Sequence, residues 1–268
     1  MMDNFVNFFQ IYLLIMVRLT AILMVAPLFS SNVIPNTIKM ALSFITTAAI
    51  FPLAANINVQ AAPTFAEYFL TLLNEALIGI LIGFLMSIIF AAYQVMANFF
   101  EIQMGFGISE TVDPISQVTV PVLGQMQSLI VILLFIAIDG PSLIIRTLFY
   151  SFKAMPILSN ASKAVFMSSF NGIIDRMIYY MSSLFSIALS LALPIMLTLF
   201  LLSLSLGLLA KAAPQMNILM LGFPMQITVG ITAYYILIPV LVSNFMKILQ
   251  STIADVNNII TFLSGGTI

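Results

Sequence analysis

Two long segments of this chain carry no charged residue, and they constrain the fold more than any other feature. The segments run from Met177 to Ala210 and from Ala212 to Met246. Each is longer than the roughly 20 apolar residues that cross about 30 Å of hydrocarbon as a helix. Only 6% of all residues are charged and 62% are hydrophobic, whereas ordinary soluble domains contain about 25% charged residues. The sequence therefore predicts an integral membrane protein and excludes a soluble fold.

Six apolar stretches indicate an all-α, polytopic membrane protein with about six long helices. None of them shows the alternating ten-residue pattern of a barrel strand, and loops rich in Gly, Pro, Ser and Asn separate them. The pattern contains no convincing internal repeat, so residues 1–268 form a single predicted domain. The stretches are Phe5 to Phe29, Ile38 to Ala55, Ala76 to Phe100, Val122 to Ile138, Met177 to Ala210 and Ile218 to Met246.

The last two stretches are too long for simple upright spans. As ideal helix, each uncharged segment would extend about 50 Å at 1.5 Å per residue. Pro194, Pro224 and Pro239 can break these helices. Alternatively, the helices can tilt, or continue beyond the bilayer inside a protein complex.

Loop charges give no consistent orientation. Alternating six spans puts Lys39 and Lys211 on one side and the stretch from Arg146 to Arg176 on the other. The positive-inside rule therefore contradicts itself. Either one apolar segment does not span the membrane, or partner proteins impose the orientation.

The composition leaves little chemistry for catalysis. Cys and His are both absent, which removes thiolate nucleophiles, imidazole bases and the usual zinc ligands. The chain has no GxxxxGK[ST] nucleotide-binding loop and no basic stripe that would follow a nucleic-acid backbone. We therefore expect no enzymatic activity, no cofactor, no metal site and no nucleic-acid partner.

Small residues recur every four positions along the third stretch, and this spacing lines one face of a helix. In lipid, small side chains let a neighbouring backbone approach closely. The face predicts tight helix packing, either within this chain or at a seam between subunits. Its members, which we call the small-residue stripe, are Thr71, Glu75, Gly79, Gly83, Ser87 and Ala91.

A polar, glycine-containing segment follows the third stretch and is a candidate plug. Non-helical backbone at membrane depth persists only when it is buried in protein or lines water. The segment can therefore form a lumen, constriction or plug, and the alternative is a plain solvent loop between two spans. Its candidate residues are Glu101, Gln103, Met104, Gly105, Phe106, Gly107, Glu110, Asp113 and Pro114.

Three further ionisable residues lie at or within apolar sequence. Arg18 lies in the first stretch, Asp139 follows the fourth, and Arg146 lies in the shorter apolar run after Pro141. Charges at such positions face a bundle interior or an aqueous path, or they reach the membrane interface. Each marks either a functional group or an anchor.

The order of these features resembles the FliR family of flagellar export-gate proteins and their injectisome counterparts in type III secretion. The resemblance runs from near Arg18 to about Pro239, and the cluster from Gly207 to Pro224 is its most specific part. The matching positions are Arg18, Pro27, Pro35, Pro52, Glu75, Gly79, Gly83, Gln103, Gly105, Asp113-Pro114, Ser151-Phe152, Pro156, Pro194, Gly207, Pro214-Gln215-Met216-Asn217 and Gly222-Phe223-Pro224.

The resemblance implies a subunit of a multi-subunit gate in the bacterial inner membrane, at the flagellar basal body. Its helices would form hairpins and assemble with FliP-like and FliQ-like subunits, near FlhB-like and FlhA-like components. Unfolded export substrates would pass along the gate. Residues 1–175 would form a FliP-like portion, residues 176–250 a FliQ-like hairpin and residues 251–268 a tail.

The resemblance also implies roles for two segments. Residues Gly105 to Val120 are similar in position to the family's plug. Gly207, Lys211, Pro214, Gln215, Met216 and Asn217 would lie at the turn of the FliQ-like hairpin.

Two other classes of function compete with an export gate. A small-solute transporter or channel would show repeated halves and a midplane site made by broken helices, and the prolines supply only the second feature. An intramembrane enzyme would need an assembled acid, base or nucleophile. We therefore expect the gate function, with the solute transporter as the alternative.

Overall fold

The computed structural model describes residues 2–30, 34–54, 64–106, 122–155, 170–215 and 217–263. Every regular element in these ranges is helical, which confirms the all-α membrane architecture. Six helices correspond to the six apolar stretches, and the seventh is the short apolar run after Pro141. The helices are α1 (Met2–Val25), α2 (Asn36–Ala54), α3 (Phe65–Gln103), α4 (Val122–Ala137), α5 (Gly140–Ala154), α6 (Phe170–Ala212) and α7 (Ile218–Leu263).

Three helices exceed the thickness of a bilayer. Helices α3, α6 and α7 contain 39, 43 and 46 residues, or about 58, 65 and 69 Å at 1.5 Å per residue. Four helices, α1, α3, α6 and α7, contain segments long and apolar enough to span a membrane, and α4 with α5 gives a fifth if counted as one broken span. The span count of four to five therefore lies below the helix count.

The prolines do not end the helices in which they lie. Helix α6 continues through Pro194, and α7 continues through Pro224 and Pro239. One turn after two of these prolines, a threonine hydroxyl adds a side-chain hydrogen bond to the carbonyl of the proline itself, the i−4 bond that Thr commonly makes inside a helix. Thr198 Oγ1 donates to the Pro194 carbonyl at 2.8 Å, and Thr228 Oγ1 donates to the Pro224 carbonyl at 2.7 Å.

The chain divides into two compact units that interleave along the sequence. The first contains residues up to Ile88, Phe135–Tyr180 and the chain from Leu249. In this unit α1 packs against α2. Tyr12 of α1 lies edge-on to Phe44 of α2, with ring centroids 5.5 Å apart, and its hydroxyl donates to the Phe44 carbonyl at 2.8 Å.

A buried ion pair joins three helices of the first unit. Arg18 of α1 donates from Nε to Glu75 Oε2 of α3 at 2.5 Å, and both side chains are fully buried. The remaining guanidinium donors reach α5 and the residue after it: Nη1 lies 3.1 Å from Ser151 Oγ and Nη2 lies 3.2 Å from the Met155 carbonyl. The guanidinium carbon also lies 4.2 Å from the ring centroid of Phe152. This Arg18 cluster satisfies a buried charge with one anion and two neutral acceptors.

Two glycines of the small-residue stripe allow α1 and α3 to touch through their backbones. A Cβ at Gly79 would lie 2.5 Å from the Arg18 carbonyl oxygen and 2.6 Å from Ala21 Cβ. A Cβ at Gly83, one turn later, would lie 2.9 Å from Val25 Cβ. Because real Cβ atoms do not approach this closely, only glycine fits while the helices stay at this distance.

The second unit contains Ile89–Leu134 and Met181–Ile248. Its α3 segment packs on α7 through Tyr93, whose ring lies edge-on to Phe245 at 5.5 Å between centroids. The Tyr93 hydroxyl donates to the Leu241 carbonyl at 2.7 Å. Helices α6 and α7 are linked by Gln226 Nε2, which donates to Ser203 Oγ at 3.2 Å. Interhelical bonds of this type stabilise membrane helix pairs.

Replacing one member of the buried ion pair should destabilise the protein strongly. Arg18→Met leaves the Glu75 carboxylate buried without its cation, which costs about 3–5 kcal/mol of unfolding free energy. The double variant Arg18→Met/Glu75→Leu removes both charges and should recover most of that loss. The measurement is the denaturation midpoint of the detergent-solubilised protein. The control is Arg146→Met, because Arg146 is exposed on α5, and a double variant as unstable as Arg18→Met would contradict the prediction.

Enlarging Gly79 should weaken the contact between α1 and α3. In Gly79→Ala the new methyl group meets a backbone carbonyl that cannot rotate away, and Gly79→Leu should be worse. The matched control is Gly207→Ala, because a Cβ at that helical glycine meets no atom within 4 Å and alanine favours helix. The yield of folded protein after detergent extraction is the readout. Equal yields of Gly79→Ala and Gly207→Ala would show that the contact is not required.

Candidate functional site: the base of the polar loop

Helix α3 ends in a Schellman motif at the start of the polar segment. The Phe106 amide donates to the Glu101 carbonyl at 3.3 Å, and the Gly105 amide donates to the Ile102 carbonyl at 3.1 Å. Gly105 has φ of 87°, the left-handed conformation that this motif requires and glycine adopts without strain. The helix thus stops at a defined residue, and the loop leaves from Gly105.

The side chain of Glu101 joins the two ends of this loop. Its carboxylate accepts hydrogen bonds from the Leu123 amide at 3.2 Å and the Gly124 amide at 3.1 Å. These amides lie in the first turn of α4 and have no partner within their own helix. The positive end of the α4 dipole also favours the negative charge. Glu101, which is 6% exposed, therefore caps α4 from the last turn of α3.

Three contacts with α7 adjoin this cap. The side chain of Met104, fully buried, lies against Gly230, where an added Cβ would be 2.2 Å from Met104 Cε and 2.7 Å from Met104 Cγ. One turn further along α7, the Tyr234 hydroxyl donates to Gln127 Oε1 of α4. The Tyr234 ring also lies 5.7 Å from the Phe100 ring of α3. Helix α7 thus contacts both helices that flank the loop.

The structure assigns the predicted loop residues to different environments. Glu101 and Gln103 are helical, because α3 continues further than the sequence pattern indicated. Met104 is buried, whereas Gly105 and Phe106 are half-buried. Gln103 Oε1 is buried and has no hydrogen-bond partner among the described residues. Gly107, Glu110, Asp113 and Pro114 lie outside those residues.

Sequence reasoning missed the residues that hold the base of the loop from α4 and α7. Gln127, Gly230 and Tyr234 lie inside apolar stretches, where a lone polar or small residue carries no distinctive pattern. One weak signal was available: Glu101 lies in the last turn of its helix, where an acid is unfavourable for the helix dipole. That placement indicates a partner outside α3.

The stripe runs through both units, and its members have different neighbours. Glu75, Gly79 and Gly83 face α1 in the first unit. Ser87 donates within its own helix to the Phe84 carbonyl at 2.7 Å, and Ala91 is half-buried in the second unit. Glu75 Oε1 is buried without a hydrogen-bond partner in the described part of the chain.

The predicted hairpin turn connects α6 and α7. Lys211 lies in the last turn of α6, where a cation is favourable for the helix dipole. Pro214 and Gln215 are exposed in the turn itself. Asn217 caps α7, since its Oδ1 accepts the Met220 amide at 3.3 Å. Gly207 lies within α6, with no atom within 4 Å of the Cβ position, and Met216 is outside the described residues.

Asp139 lies in the turn between two helices, whereas Arg146 lies on the surface of one. Asp139 adopts φ of 60° between α4 and α5, a left-handed conformation that aspartate tolerates. Its carboxylate accepts a hydrogen bond from Ser142 Oγ at 2.8 Å. Arg146 is exposed on α5. Lys39 lies within α2 and is 4% exposed, so it does not report the orientation of a loop.

An open groove of about 430 Å³ lies between α6 and α7 in the second unit. Its three threonines donate to carbonyls of their own helices at 2.7 to 2.8 Å, so their hydroxyl protons are not offered to a solute. The groove therefore lacks the convergent polar donors of a typical solute site. Its lining residues are Pro194, Thr198, Thr228, Val229, Thr232, Ala233, Ile236 and Leu237.

Comparisons with known proteins agree along almost the whole chain. The family described as bacterial export proteins, family 1, matches residues 9–252. The chain is 32% identical to flagellar biosynthetic protein FliR of Escherichia coli (strain K12), over 94% of this chain and 92% of that protein. It is 25% identical to the protein of that name from Bacillus subtilis (strain 168), over 98% and 99%. The corresponding protein of Aquifex aeolicus (strain VF5) is 28% identical over 84% and 83%. This chain therefore belongs to the bacterial export proteins, family 1.

Proposed function

We propose that this chain is a core subunit of the flagellar type III protein-export gate and lines a gated conduit for unfolded export substrates. The observation that carries the proposal is the family match over residues 9–252, together with relatives named as flagellar biosynthetic proteins along most of the chain. The chain is thus a component of the export apparatus. Energy and substrate choice come from other components, and the subunit acts as neither an enzyme nor a cofactor carrier.

The surface of α6 and α7 supports assembly with other subunits. Only 22% of the most apolar window of α6 and 17% of that of α7 are buried within the chain, against 61% for α3. An uncharged helix of about 50 Å would need a tilt of about 53° to fit 30 Å of hydrocarbon, beyond the usual range of 0–40°. The low burial and the length of these helices support the proposal that protein covers part of this apolar surface.

The partners proposed for this surface are FliP-like and FliQ-like subunits, with FlhB-like and FlhA-like components nearby. Residues 1–175 serve as the FliP-like portion, 176–250 as the FliQ-like hairpin and 251–268 as the tail. The gate resides in the bacterial inner membrane at the flagellar basal body, and lipid covers the faces that proteins leave free. The helical pair α6 and α7, joined by a short turn, is the form that such a hairpin requires.

The segment from Gly105 to Val120 serves as the plug of the closed conduit in this proposal. The Glu101 cap supports the assignment, because it joins the helices that flank the segment at a buried site. A small-solute transporter is less well supported, since the groove between α6 and α7 has its hydroxyl groups bonded internally.

Purification from membranes tests the assembly. A tagged chain extracted in mild detergent should co-purify with FliP-like and FliQ-like subunits, because α6 and α7 leave apolar surface uncovered. Gly79→Leu should reduce their recovery if an intact first unit is needed for assembly, whereas Gly207→Ala should not. A chain that purifies alone as a stable, homogeneous species would favour the transporter function.

Deleting Gly105 to Val120 should leave the assembled complex recoverable and make it leaky to small ions. The Glu101 cap already brings the ends of the segment together, so the deletion does not force α3 and α4 apart. Conductance per recovered complex, measured in vesicles, is the readout, with the wild-type complex as control. Unchanged conductance in an assembled deletion variant would remove the plug from the proposal.

A further inference from the structure

Three helices of the second unit meet at the base of the proposed plug, and each of the three contacts the other two. Glu101 comes from the last turn of α3 and Met104 directly follows that helix, Gln127 comes from α4, and Gly230 and Tyr234 come from α7. We call these five residues the loop anchor. Gly230 is buried, and the side chains of the other four residues are at most 7% exposed. The anchor lies wholly within residues that the structure describes.

The link between α3 and α4 is electrostatic and directional. Glu101 uses both carboxylate oxygens, one for the Leu123 amide and one for the Gly124 amide. Hydrogen bonds that involve a charged group are stronger than neutral ones, especially away from water. The charge opposes the dipole of α3 and matches that of α4, so this side chain stabilises the junction of the two helices.

The link between α3 and α7 is steric. Met104 fills the space that a side chain at position 230 would occupy, so the absence of a side chain at Gly230 allows this close packing. Four residues on, Tyr234 packs on Phe100 of α3 and donates to Gln127 of α4. The contacts fix α3 and α4 at neighbouring turns of α7, and the hydrogen bond is buried, where an unpaired partner would be costly.

We propose that the loop anchor is the fixed base of the plug: it holds the residues that flank the segment from Gly105 to Val120 against α7, and it stays closed while the conduit opens. The inference rests on the proposed function. It makes Glu101, Met104, Gly230 and Tyr234 positioning residues for sealing. A fixed base follows from burial and mutual satisfaction, since every anchor contact would leave a charge, a hydrogen bond or a cavity uncompensated if it broke.

Loosening the anchor should make the assembled gate leak. Gly230→Ala displaces Met104, and Glu101→Gln keeps the side-chain shape but replaces one acceptor with a donor that faces an amide. Each should raise ion conductance per recovered complex about fivefold or more. This is the ratio expected when overpacking or loss of a buried hydrogen bond destabilises the sealed state relative to the leaky one. The matched control is Gly222→Ala in the same helix, where the new Cβ lies 3.6 Å from Leu206 Cδ1. It should seal like the wild type.

A compensating variant distinguishes loss of the contact between Met104 and Gly230 from general damage to α7. Met104→Ala removes the side chain that Gly230→Ala displaces, so the double variant should leak less than Gly230→Ala alone. If Gly230→Ala and Glu101→Gln both show wild-type ion conductance per recovered complex, the anchor proposal is overturned. Loss of the complex in both variants would also overturn it, because the residues would then fold the subunit rather than position the loop.

A disulfide lock tests whether the base is fixed. The chain contains no cysteine, so Met104→Cys/Gly230→Cys introduces the only pair. In Met104→Cys the sulfur takes the position of Met104 Cγ, which lies 2.7 Å from the Cβ position of Gly230, so the two introduced side chains are adjacent, as a disulfide requires. Oxidation should protect both thiols from a maleimide reagent and leave export unchanged. The pair Met104→Cys/Gly222→Cys, about 12 Å further along α7, should remain reactive.

Export that stops on oxidation and resumes on reduction would overturn the fixed base. The plug deletion, measured in parallel, distinguishes failure of the proposed plug from failure of the proposed anchor. If deletion of Gly105 to Val120 does not raise conductance, the plug itself fails and the anchor fails with it. If the deletion leaks and the anchor variants do not, the plug stands and only the anchor is wrong.

Discussion

The buried pair of Arg18 and Glu75 is the interaction on which the first unit depends. Both groups are fully buried, and burying either charge without the other would carry a large desolvation cost. The guanidinium has more donors than one carboxylate can accept, so Ser151 and the Met155 carbonyl are required as well. One side chain thereby fixes α1 against α3 and the end of α5. The close approach at Gly79, opposite the Arg18 carbonyl, keeps the two charges in register.

Local patterns predicted the helices well, because the requirement to satisfy backbone groups in lipid leaves few alternatives. The apolar stretches and the small-residue stripe could be read from the sequence. Arg18, Glu75 and Ser151-Phe152 were each recognised as separate features. Their meeting in one cluster could not be read, since positions separated by 57 and 133 residues share no periodicity. Loop charges gave no consistent orientation of the helices for a related reason: Lys39, which is buried in α2, was counted as a loop charge.

The candidate site was predictable in part. The polar segment after α3 was identified from its acids and glycines, but its helical start and its anchor were not. Glu101 was taken as a loop residue because an acid in an apolar region suggests an end of the helix. The structure shows that its carboxylate serves the following helix instead. Gly230 and Tyr234 gave no signal, because a glycine or tyrosine in a long uncharged run is ordinary until its neighbour is known.

The backbone contact at Gly79 has a genetic consequence. An added methyl group there would meet the carbonyl oxygen of Arg18, which belongs to the main chain and is present whatever residue occupies that position. No side-chain substitution on α1 can therefore act as a full intragenic suppressor of Gly79→Ala. Suppression would require α1 to move as a whole, and the ion pair opposes that movement. Replacement of Gly79 therefore requires a shift of the whole of α1 and cannot be accommodated by changing one neighbouring side chain at a time.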